Sequence, residues 1–239
     1  MVNGARALVA TVAIVVLGVT GCGSSDMANT ADSTASPIWS GYITAGGGFS
    51  RVTATWTEPA IQAKEGGTAV AFWAGLAGTN TKTVQQIGTE AISEGRGGAV
   101  HDAWFEMYPR PPVEISPNRL SIVAGDVLTA TVASLGHRRY RLQLVNRTTG
   151  RAFSTVQRAR SDDASRGAII VESQGPRGPV LAHFAPTHFR SCAFDGHPVD
   201  YWNVLKLDIT NVTGGWETAT SELGDDGASF TVERQSPGE

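Results

Sequence analysis

The chain is short of cysteine, short of charge and without helical periodicity, and each shortage narrows what it can be. Among 239 residues only Cys22 and Cys192 are cysteines. No disulfide framework, CxxC pair or Cys/His zinc spacing can be built from them. Charged residues make up 17% and the formal net charge is -3, against about a quarter charged in an average domain. No basic cluster of the kind that binds nucleic acid is present, so no such partner is expected. No apolar run reaches the roughly 20 residues that span a bilayer. No window repeats its apolar residues at the helical period, and 28 Gly and 11 Pro weigh further against helices. No GxSxG string accompanies any of the five histidines, which removes the usual setting of a Ser-His-Asp triad. His183 and His188 stand five apart across Pro186, a spacing that suits neither a strand nor a helix ligand pair. No metal and no cofactor are expected.

What is present begins with a targeting segment. Arg6 precedes an apolar run from Ala7 to Val19 that reads as the core of a secretory signal. Val19-Thr20-Gly21-Cys22 resembles the bacterial lipobox, which makes Cys22 the lipidated first residue of the mature protein. A plain signal peptide cleaved near the same place is the other reading. The expected division is 1–21 lipoprotein signal, 22–37 flexible tether of small and polar residues, and 38–239 one folded domain. The expected location is export, with a lipid anchor at Cys22 on the outer face of the bacterial cytoplasmic membrane, or secretion. A monomer is expected.

The folded part alternates with period two. Val52, Ala54 and Trp56 share a face against threonines. Tyr140, Leu142 and Leu144 alternate with Arg139, Arg141 and Gln143. Further strands are expected over 68–73, 83–92, 101–109, 126–133, 152–156, 167–172, 180–184, 201–209 and 228–232. Gly, Pro, Asn and Asp punctuate them about every 8–12 residues, the spacing of all-β domains. The expected fold is an all-β, antiparallel β-sandwich of two large curved sheets, jelly-roll or lectin-like in kind.

Chemistry concentrates on a few strands. His101 to Pro109 places Asp102, Trp104, Glu106 and Tyr108 on one face and Ala103, Phe105 and Met107 on the other. Aromatics interleaved with acids suggest a groove that holds something extended. Glu172 ends Gly167-Ala-Ile-Ile-Val-Glu172, apolar on both faces and so central. It reads either as the point where the chain exits to solvent or as a functional carboxylate. Gln86 shares a face with Gly88 and Glu90; it reads either as an exposed strand residue or as an amide donor beside a glycine gap.

Together these strings resemble the glutamic peptidases, or eqolisins. Trp73-Ala-Gly-Leu-Ala-Gly78 is similar to the family's Trp-x-Gly-x-x-Gly segment. Gln85-Gln86-Ile87-Gly88 is similar to its Leu-Gln-Thr-Gly, and Asp102-Ala-Trp-Phe-Glu-Met-Tyr-Pro109 to its long aromatic and acidic motif. Gly125-Asp126, the Asn146–Gly150 turn and Gly167–Glu172 follow in the family's order. The resemblance covers about 39–184. It implies a β-sandwich that hydrolyses peptide bonds in acid, with Gln86 and Glu172 as catalytic pair and a polypeptide as substrate. It also implies Glu90, Asp102 and Glu106 as supporting acids, and Trp73 and Trp104 as cleft walls. The chain departs from the pattern at Ala77 and Ala168, where acids are common, at Phe105, and at Met107, where a Trp is usual. Two other readings of the same face stay open: a membrane-tethered carbohydrate- or peptide-binding module, and a glycosidase using Glu106 and Glu172 across about 5–10 Å.

Overall fold

The computed structural model describes residues 33–62, 66–79, 81–95, 98–174 and 180–235. The signal segment, Cys22 and the tether as far as residue 32 lie outside the described residues.

The strands in chain order are β1 (Thr34–Ser36), β2 (Trp39–Thr44), β3 (Arg51–Thr57), β4 (Gly66–Ala77), β5 (Val84–Gly95) and β6 (Gly98–Tyr108). There follow β7 (Val113–Ile115), β8 (Val127–Ser134), β9 (Arg139–Asn146), β10 (Ala152–Arg158), β11 (Arg166–Glu172) and β12 (Val180–Leu181). The last are β13 (Thr187–Phe194), β14 (His197–Pro198), β15 (Val204–Ile209), β16 (Thr218–Thr220) and β17 (Phe230–Arg234). They form two sheets. The larger runs β1-β15-β2-β11-β4-β5-β6-β7, with β12 added to β4; the smaller runs β10-β9-β8-β3-β13-β17-β16, with β14 added to β13. Pairing is antiparallel except for β1 on β15 and β12 on β4. The β-sandwich expected from the alternation is therefore the fold.

Two hydrophobic clusters explain its shape. One fills the space between the sheets, with Phe72, Ile87, Phe105 and Ile169 of the larger sheet against Trp56, Leu128, Tyr140 and Phe189 of the smaller. The other lies wholly on the larger sheet's opposite face and includes Trp39, Ile43, Trp73, Trp104 and Ile170. That face is turned away from the smaller sheet, yet its side chains are buried. This buried face is termed the hollow face.

Several expectations are corrected. The ordered sandwich begins before Ile38: Thr34–Ser36, read as tether, pairs with Leu207–Ile209 at the sheet edge, and Ser36 Oγ accepts the Trp39 N–H at 3.0 Å. Tyr201 belongs to a short 3-10 turn, Val199–Tyr201, rather than to β15. The expected strand over 180–184 stops at Leu181; Phe184 makes only an isolated bridge to Ile61.

One polar strut crosses the sandwich. Glu58, 1% exposed, takes hydrogen bonds from Thr89 Oγ1 at 2.6 Å and Trp56 Nε1 at 3.2 Å and pairs with His101 Nδ1 at 2.8 Å. It ties the end of β3 to β5 and β6 beneath the hollow face.

Candidate active site

Strand register brings the candidate residues together. Residues paired across antiparallel strands point to the same side, so the ladder β11-β4-β5-β6 can be read as rows. Glu172, Ala71, Glu90 and Asp102 form the first row. Ile170, Trp73, Gly88 and Trp104 form the second, and Ala168, Gly75, Gln86 and Glu106 the third. Arg166, Ala77, Val84 and Tyr108 form the outermost row. All seven candidates within the described residues therefore share the hollow face, and all are buried. Gln86 has no exposed surface, which removes its reading as an exposed strand residue.

The register puts Gln86 and Glu172 on one face, two rows apart and one strand between, and no direct hydrogen bond joins them. The residue between them is Trp73. Its Nε1 donates to Glu172 Oε2 at 2.6 Å. The far edge of its ring lies over Gly75, where Cζ3 would be 3.2 Å from a Cβ. The indole thus floors the space from the Glu172 carboxyl to the Gln86 row. Two glycines make this fit. A Cβ on Gly88 would lie 2.0 Å from Phe72 O and 2.6 Å from Trp73 Cβ; one on Gly75 would lie 3.0 Å from Gln86 Cβ.

Gln86 Nε2 donates to Glu106 Oε2. Gln174 Nε2 donates to Glu90 Oε1 at 2.8 Å. Trp39 packs edge-on against Trp73, centroids 5.1 Å apart. Its N–H lies near enough to Glu172 to favour the charged form, yet outside hydrogen-bond geometry. Four buried polar atoms on this face have no protein partner: Gln86 Oε1, Glu106 Oε1, Trp39 Nε1 and Trp104 Nε1. Such atoms are what a water or a substrate amide would satisfy.

The acids repel one another and lack solvent. Burial pushes Glu172 up to about 7, opposed by the Trp73 and Trp39 N–H groups and reinforced by Glu90. Burial pushes Glu106 up to about 8, opposed by Gln86 and reinforced by Glu172. Burial and Asp102 raise Glu90 to about 7. A carboxyl with its folded pKa above the unfolded 4.5 binds its proton more tightly in the fold. Stability from these three groups is complete below about 4.5 and is lost as the pH climbs through 7 and 8. Thermal melts should accordingly give a lower Tm at about pH 9 than at about pH 5; an equal or higher Tm at the alkaline pH would contradict these shifts.

Sequence reasoning missed Trp39 and Gln174 at this site. A recurring pattern pointed to Trp39. Trp39-x-Gly41, Trp73-x-Gly75 and Gln86-x-Gly88 each set a large side chain two residues before a glycine on the same face. A Cβ on Gly41 would lie 2.3 Å from Ile169 O.

The Peptidase A4 family profile matches residues 37–233, nearly the whole folded chain. The chain belongs to the peptidase A4 family. Family membership accords with the eqolisin resemblance of its motifs. The chain is 28% identical to scytalidopepsin B of Scytalidium lignicola over 176 residues, which is 72% of this chain and 60% of that protein. It is 25% identical to aspergillopepsin-2 of Aspergillus niger over 136 residues, 48% of this chain and 47% of that one. The matches thus span about half to three-fifths of the length of these curated relatives. Among solved structures, scytalido-glutamic peptidase with a peptide-based transition state analog superposes with a TM-score of 0.70 at 22% identity. That match covers 83% of this chain and 98% of the other. Aspergilloglutamic peptidase from Aspergillus niger gives 0.58 at 24% identity, over 70% and 99%. At these identities the superpositions establish the fold.

Proposed function

We propose that the protein is an acid-acting glutamic endopeptidase that hydrolyses polypeptides with Gln86, Glu172 and one activated water. The observation that carries this reading is the shared hollow face. An amide and a carboxyl flank the Trp73 indole there, walled by Trp104, with polar atoms left for a water and a substrate carbonyl.

Ionised Glu172 takes a proton from the water as it attacks the scissile carbonyl. A Gln86 N–H donates to the oxyanion as it forms. Protonated Glu172 then passes its proton to the leaving nitrogen. An extended peptide fits along the groove between the aromatic walls.

The acid cluster limits the active form to pH values around and below 7. Glu172, Glu90 and Glu106 titrate as a coupled set. Protonating Glu90 and Glu106 removes their repulsion of Glu172, and the indole N–H groups favour the charge remaining there. The active form carries that charge on Glu172 with Glu90 and Glu106 neutral. Activity falls on the acid side when the last charge is lost and on the alkaline side when a second acid ionises.

The chain is further proposed to act outside the cytoplasm, held through Cys22. The testing experiment incubates the protein lacking residues 1–22 with denatured casein between about pH 2 and pH 7, with pepstatin present to silence aspartic peptidases. Cleavage that peaks on the acid side and ignores pepstatin is expected. A binding module would cleave at no pH, and a glycosidase would cut oligosaccharides while leaving casein whole.

A further inference from the structure

Gln86 and Glu106 stand directly opposite each other on β5 and β6, and neither has exposed surface. One contact joins them, from Gln86 Nε2 to Glu106 Oε2. The other polar atom of each group, the amide oxygen Gln86 Oε1 and the second carboxyl oxygen Glu106 Oε1, is buried without a partner. Both are acceptors, so neither can satisfy the other while Glu106 is ionised. One proton resolves the mismatch.

We propose that Glu106 works as a neutral acid whose Oε1–H donates to Gln86 Oε1, closing a two-bond acid–amide pair. That pair uses one Nε2–H and the carbonyl of Gln86. The second Nε2–H is then the only donor the amide has left, and its direction into the cleft is fixed. An ionised Glu106 would hold the amide through a single bond and leave it free to swing. Glu106 is thus a positioning residue for the oxyanion donor; this rests on the Gln86/Glu172 reading above.

The surroundings favour the neutral form. On its own strand Glu106 shares its face with Asp102 and Tyr108. β5 adds Glu90, β11 adds Glu172, and β7 adds Glu114 opposite Trp104. β4 presents only Ala71, Trp73, Gly75 and Ala77 to these rows. Arg166, in the outermost row, spends a guanidinium N–H on Thr44 O at 3.2 Å. Burial and Glu172 together raise Glu106 to about 8.

The test compares Glu106→Gln with Glu106→Leu, beside Gln86→Ala as control. A glutamine at 106 rebuilds a two-bond pair as amide with amide and cannot ionise; leucine cannot form the pair. Glu106→Leu should lose at least about tenfold in kcat, with KM little moved. Glu106→Gln should recover most of that loss. A Glu106→Gln as poor as Glu106→Leu overturns the proposal. Infrared difference spectra of native protein minus Glu106→Gln at about pH 6, below the raised value of about 8, should show a protonated-carboxyl C=O band. Its absence overturns the proposal even if the leucine variant does not fold. A Gln86→Ala with native turnover sinks the dyad itself; an inactive Gln86→Ala beside a fully active Glu106→Leu sinks only the pairing.

Discussion

Glu172→Gln should abolish nearly all peptide hydrolysis, with a fall in kcat of about 10²–10⁴ on an unfolded protein substrate at acid pH. The substitution keeps the shape of the side chain. The new amide oxygen can still accept the Trp73 N–H, which lies 2.6 Å from the present carboxyl. What it cannot do is accept a proton from water and return it to the leaving nitrogen. The substitution also removes one charge from a set of mutually repelling buried acids, so the variant should melt no lower than the native protein at about pH 8. A folded Glu172→Gln with native turnover would refute the assignment. Loss of activity together with a collapsed melt would mean that the residue holds the fold rather than performs the chemistry.

Gln86→Ala should lower kcat by about 10²–10³ while KM changes little, since the lost N–H bond forms fully only as the oxyanion develops. The effect should be smaller than at Glu172, because Glu172 carries the proton through both halves of the reaction. Alanine also leaves a gap beside Gly75 and Gly88 and deprives Glu106 of its partner. The turnover must therefore be normalised to the folded fraction, read from near-UV circular dichroism. A large rise in KM at constant kcat would reassign Gln86 to substrate binding.

Alternation made much of the fold legible. Asp102, Trp104, Glu106 and Tyr108 do share the hollow face, with Phe105 and Met107 in the inter-sheet core. Where alternation breaks, legibility ends. β13 carries His188, Arg190 and Ser191, shifts register between Arg190 and Ala193, and has Ser191 at φ 51°. No period of two survives that, and no strand is expected there from the sequence. β2 is buried along its whole length, so no alternation of exposed and buried residues marked it. At the site, pattern alone left Gln86 and Glu172 undecided. What decides burial there lies on other strands, in Gly75 and Trp73 beside Gln86 and in Trp39 and Trp73 beside Glu172. His101 likewise gave no hint of its buried partner, since Glu58 comes from another sheet and 43 residues away.

The seat of β11 has a consequence for how the molecule comes into being. It is wedged between β2 and β4, strands that leave the ribosome some hundred residues earlier. Until Arg166–Glu172 follows, those two neighbours have bare hydrogen-bonding flanks and the sheet is split down the middle. A nascent or prematurely ended chain therefore lacks Glu172 and the middle of its larger sheet, and is at its stickiest just before the wedge arrives.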